Sequence, residues 1–131
     1  MTMAEHTDWQ RSEPFDLPDW LGEEDLVWSL DGSLSAAQVC GTLRGAGEHR
    51  LGLDIVCADV AYPAPVVPEP VRRQCHLTWH HGQVQTIRNG QRHGLAVPVS
   101  SLDADTVCEA LRRFARAIAV DSERVRVLIS L

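Results

Sequence analysis

The stretch VRRQCHLTWHHGQ, Val71 to Gln83, places one cysteine, three histidines and a tryptophan within seven residues. Two chemistries suit such a set. His76 and His80 are four apart, so on a helix their rings share one flank, a spacing that chelates zinc in protease helices. A third ligand would have to come from His81, His93 or Cys75. No Glu follows His76, so the general base of an H-E-x-x-H helix is missing. The second chemistry is a Cys75 nucleophile activated by a histidine, but Cys75 points about 100° away from His76 on a helix. Against both stands a plainer reading. His80 and His81 fall in a last helical turn, where donor or cationic side chains meet free carbonyls. We read the cluster as a helix end, with zinc on His76 and His80 as the alternative.

Other reactive arrangements are sparse. The chain has no G-x-S-x-G, no phosphate-binding glycine loop and no G-x-G-x-x-G. Its four cysteines, at 40, 57, 75 and 108, form no C-x-x-C pair. They are expected as reduced, buried small hydrophobes. The candidate binding residues are instead Trp9, Trp20, Arg112, Arg113 and Arg116. Trp9 sits in an acidic head, where an indole marks a contact. The three arginines lie on the solvent side of the best helix in the chain.

Charge is unevenly spread. Residues 1–31 hold nine acids against Arg11, a net of −8, while the remainder is near +2, in keeping with the overall −6. An acidic head on a near-neutral body argues against a nucleic-acid partner, because phosphate contacts need a dense cationic patch. The head is expected as a flexible acidic segment over residues 1–15. Its sharper reading is an arm that docks on an Arg-rich face of this chain or of a partner. All twelve basic residues are Arg, which we read as codon bias of a GC-rich bacterial genome. No apolar run approaches the ~18–20 residues that cross a membrane, and the N-terminal stretch lacks a signal-peptide pattern. A cytoplasmic protein with no membrane partner is expected.

The elements that would position these residues are legible in part. FDLPDWLGEED suggests a short helical turn, with Phe15, Leu17, Trp20 and Leu21 anchoring it. DLVWSLDG, AAQVCGTLRG and HRLGLDIVCADV read as a three-stranded meander. Centring the second hairpin on Ala46 pairs Leu43 with His49 and Val39 with Leu53. Val39, Leu43, Leu51, Leu53, Ile55 and Cys57 then share one buried face. YPAPVVPEP, Tyr62 to Pro70, carries four prolines and should run extended. Pro70 opens a helix ending at His80 or His81, with Gly82 as its stop. Asn89-Gly90 marks a further hairpin. A two-residue loop would group Val84 with Leu95, whereas a three-residue loop would group Ile87 with Leu95. Asp103 caps a helix whose stripe is Val107, Leu111, Phe114 and Ile118. RVRVLISL closes as an alternating strand.

The result is a single α+β domain over residues 16–131, with a mostly antiparallel sheet and helices packed on one face. The element order is short helix, three strands, helix, two strands, helix, last strand. At that level it resembles the type III secretion chaperone-like fold. The resemblance implies a small acidic protein that dimerises and holds a partner chain extended, and it carries over no residue. The terminal strand departs from that pattern. Three functional readings follow: a non-catalytic protein-binding or adaptor module that also self-associates, a small-ligand or zinc-binding protein using His76 and His80, and an enzyme of unrecognised type.

Overall fold

A computed structural model describes residues 9–31, 38–58, 67–99 and 102–129. Eight strands and two helices follow in chain order: β1 (Gln10–Arg11), β2 (Leu26–Leu30), β3 (Gln38–Val39), β4 (Gly41–Arg44), β5 (Arg50–Cys57), α1 (Glu69–His80), β6 (Gln85–Asn89), β7 (Arg92–Val97), α2 (Ala104–Ala117) and β8 (Val125–Leu128). The strands form one sheet in the order β1-β6-β7-β5-β4-β2-β8, with β3 also on β5.

The sheet is mixed, which corrects the expectation of a mostly antiparallel one. The meander β2-β4-β5 and the hairpin β6-β7 are antiparallel. The crossover through α1 brings β7 alongside β5 in parallel, and β8 returns parallel to β2. Local turns make antiparallel neighbours, whereas long helical crossovers make parallel ones.

The meander keeps its expected faces in a shifted register. Leu43 pairs with Leu51 rather than His49, and Val39 pairs with Ile55 rather than Leu53. A shift of two residues leaves every side chain on its own face. The loop is longer than a three-residue turn: Gly45 N–H donates to the His49 carbonyl at 3.0 Å, and Gly47 takes a positive φ of 66°.

The expectation that both helices share one face is overturned. Leu53, Ile55 and Cys57 of β5 and Leu95 and Val97 of β7 point into one cluster with Val107, Leu111 and Phe114 of α2. Val56, Ala58 and Ala96 point the other way, against Val71 and Cys75 of α1. Residues 53–58 are therefore buried on both sides, as in a parallel strand covered by helices front and back.

Both helices start and stop near their sequence signals. Asp103 accepts the Thr106 N–H at 2.8 Å as the cap of α2, and Gly82 leaves α1 with φ 78°. The Gly90–Gln91 turn joins Asn89 to Arg92, a two-residue loop. Val84 and Leu95 consequently share one cluster and Ile87 enters the other. The 13–25 segment forms two short 3-10 turns, Pro14–Asp16 and Asp19–Gly22. Leu17 and Leu21 anchor it, but Phe15 stands 80% exposed and anchors nothing.

Trp9 sits in the fold, not on an arm. It is 2% exposed and packs with Ile87, while Gln10 and Arg11 pair with Arg88 and Ile87. The rest of the acidic head, residues 1–8, most of the proline run and Leu131 lie outside the described residues.

Candidate functional site: a groove along the β1 edge

Strand β1 holds the edge of β6 for only two residues and a bond beyond. Ser12 N–H donates to the Thr86 carbonyl at 3.0 Å, the Thr86 hydroxyl donates to the Ser12 carbonyl at 2.7 Å, and Pro14 then turns the chain away. Because β1 leaves so early, a cleft of about 900 Å³ opens between the β1–β6 edge, one side of α1 and the end of α2. Its size is at the upper end of the ~300–1,000 Å³ typical of ligand clefts.

Side-chain amides and guanidinium groups dominate the polar lining. Gln74 comes from α1, Gln83 and Gln85 from the α1–β6 connection and β6, Gln10 and Arg11 from β1, and Arg113 and Arg116 from α2. Gln85 is buried and donates through Nε2 to the Thr86 carbonyl at 2.9 Å. The Ser12 hydroxyl, also on the lining, has no partner. Glu13 and Asp16 contribute the carboxylates.

A second, shallower depression of about 690 Å³ shares Arg11, Pro70 and Gln74 with the first and continues past Arg73, His76, Leu77 and His80 of α1. The two make one elongated groove. Leu77 is 54% exposed at its far end.

Three of the five candidate binding residues meet here. Trp9 forms a wall, and Arg113 and Arg116 line the α2 end. Arg113 is tied down by Trp79 and by Glu109, whose carboxyl is held below its usual range chiefly by the Arg113 hydrogen bond. Arg116 donates to the Gly82 carbonyl at 3.3 Å. Trp20 lies elsewhere. It stacks on His49 with ring centres 4.9 Å apart, and Glu24 bonds His49 at 2.7 Å and accepts the Ala46 N–H at 2.6 Å. This arrangement pins the β4–β5 hairpin. Arg112 is exposed and pairs with Glu109.

His76 and His80 are exposed on α1, the spacing expected for zinc chelation, but among the described residues no third His, Cys, Asp or Glu completes a metal-binding group. His80 instead meets His81 edge to face, with ring centres 5.4 Å apart. Cys75 is fully buried, donates its thiol to the Ala96 carbonyl at 3.0 Å, and is pushed up to about 12 by burial. A thiol so held is inert as a nucleophile at neutral pH.

Sequence reasoning missed Arg11, Gln74, Gln83, Gln85 and Thr86. They come from three separate stretches and form no local pattern, so only the pairing of β1 with β6 assembles them. Compared with protein-family models, curated proteins and solved structures, the chain matches none. Among the described residues no helix is long and apolar enough to cross a membrane.

Proposed function

We propose that this protein is a non-catalytic protein-binding module that holds a segment of a partner chain extended in the β1-edge groove. The observation that carries this reading is the lining itself. Gln10, Gln74 and Gln83 set amides, each both donor and acceptor, along an elongated cleft. Such groups complement the alternating N–H and C=O of an extended peptide. Exposed Leu77 offers an apolar contact at one end, and exposed Arg116 offers a guanidinium group for a carboxylate at the other. The chaperone-like element order of the sequence points the same way, towards a partner held unfolded.

Peptides selected from a random displayed library against the full chain test this reading. Trp9 lines the groove, so binding should shift tryptophan emission. Q74A/Q83A should weaken the selected peptides at least about tenfold, the loss of one or two hydrogen bonds to a desolvated peptide. Peptides that bind the variant as tightly as the native protein would place recognition elsewhere and remove the proposal.

A further inference from the structure

The sheet has a face that no helix covers among the described residues. Helix α1 packs on β6 and β7, leaving the same face of β8, β2, β4 and the first half of β5 open. Cross-strand partners share a face. Arg126 on β8 lies opposite Val27 on β2, Val27 opposite Arg44 on β4, and Arg44 opposite Arg50 on β5. The next row runs Leu128, Ser29, Thr42 and Gly52. Arg44, Arg50 and Arg126 are exposed and have no carboxylate partner among the described residues. Leu128 beside them is 58% exposed.

This row breaks a local rule. Like charges directly opposite on a sheet repel, yet Arg44 pairs directly with Arg50, and neither has a carboxylate partner among the described residues. The register expected from the sequence would have set Arg44 against Glu48, a favourable pair. The observed shift of two residues creates the repulsion. Places where a chain violates its own local preferences are where function is to be sought.

The complementary surface is on the same chain. Residues 13–25 expose Asp16, Asp19 and Glu23 and contain no basic residue. Leu17 and Leu21 are buried and hold this segment in place, so the carboxylates need little ordering before a contact. Phe15 stands exposed among them. Three large hydrophobic residues are exposed among the described residues: Phe15, Leu128 and Leu77. The first lies in the acidic segment and the second in the row beside the arginines, so the two surfaces each pair one apolar contact with charge, of opposite sign on the two.

We propose that the arginine row of one molecule docks the acidic 13–25 segment of a second copy, with Phe15 against Leu128 and Val27. A single-stranded nucleic acid fits the row less well. Such ligands stack on aromatic side chains, whereas the row beside the arginines is Leu128, Ser29, Thr42 and Gly52, with Asp31 bonded to Thr42 and Arg92 lying over Gly52 in a pair with Asp54, and the whole chain repels a polyanion at −6. The segment meets the groove of the proposed function at Glu13, Pro14 and Asp16, but Asp19, Glu23 and the arginine row lie outside that lining, and the contact does not depend on the groove.

Sedimentation velocity of the full chain over a concentration series tests the proposal. In low-salt buffer the native protein should associate, and about 1 M salt, with a Debye length of ~3 Å, should dissociate it. R44E/R50E and D19R/E23R should each raise the dissociation constant at least about tenfold. An equimolar mixture of these two variants should associate again, because the reversed charges match across the contact. All four positions are exposed, and circular dichroism checks that each variant folds. A native chain that stays monomeric at high concentration and low salt overturns the proposal. So does R44E/R50E associating like the native chain, a mixture that fails to recover, or an oligouridylate probe that binds the row and is lost in R44E/R50E.

Discussion

Arg113 lies over the indole of Trp79, 3.7 Å from guanidinium carbon to ring centre, and donates to the main-chain carbonyl of the same residue at 2.8 Å. It also donates to the Gln83 carbonyl at 3.4 Å and to Glu109 at 2.8 Å. One side chain on α2 thus ties down the end of α1, from the opposite side of the sheet.

Replacing Arg113 should therefore loosen the joint between the helices. A cation–π contact contributes about 0.5–2 kcal/mol, and a hydrogen bond from a charged donor about 1.5–3 kcal/mol. These overlap in one side chain, so R113A is expected to cost about 2–3 kcal/mol in urea unfolding. R113K keeps the charge but not the planar fork, and should recover less than half. If R113A unfolds at the native midpoint, the joint contributes nothing.

Gly41 makes room for Trp28. A Cβ at Gly41 would lie 2.1 Å from the Trp28 ring. Trp28 has nowhere to go: it is fully buried, and its Nε1–H donates to the Leu53 carbonyl at 2.8 Å. G41A is expected to destabilise by about 3 kcal/mol, at the upper end for overpacking, with changed near-ultraviolet dichroism from the indole. G41A/W28F should regain part of the loss. A G41A protein of native stability would mean that the strand shifts freely there.

Cys75 should make the fold alkali-sensitive. Burial raises its folded pKa from the ordinary 9.0 to about 12. A group whose folded pKa is raised contributes stability that is whole below the unfolded pKa and is lost as pH climbs towards the folded one. The loss should begin near pH 9 and approach a slope of about 1.4 kcal/mol per pH unit. Below pH 9 this group adds no pH dependence. In C75A the same urea titration should be flatter between pH 9 and 11, from a lower starting stability. An equal slope in both proteins would assign the alkaline transition to other groups.

How much of this the sequence disclosed depended on distance along the chain. Asp103, Gly82 and the Val107–Leu111–Phe114 stripe act within one helix, and each appears where its spacing places it. The faces of Val39, Leu43 and Ile55 were also readable, because a two-residue slip preserves them. The parallel partners were not readable. Nothing near Leu53 announces His93, and nothing near Leu26 announces Val125. Two-sided burial did leave a trace, since LDIVCA is apolar at five of six positions, the mark of a strand covered on both faces. Trp9 looked like part of an arm because a strand of two residues has no period to detect. The groove suffers most from this limit, as Arg11, Gln74, Gln85 and Arg116 meet only once β1, α1, β6 and α2 are assembled.

The parallel seam between β2 and β8 sets an order on folding. Arg124 and Asp25 clasp at its start, 3.0 Å apart in space and 99 residues apart in sequence. Neighbouring strands such as β4 and β5 can zip together around a five-residue bend, whereas this seam closes a loop that takes in both helices. Contacts of such long range form slowly, because chain entropy is lost before they give anything back. The outer side of β2 therefore stays open as a bare strand edge through most of the folding reaction, the stage at which an unpaired edge can recruit a neighbouring chain.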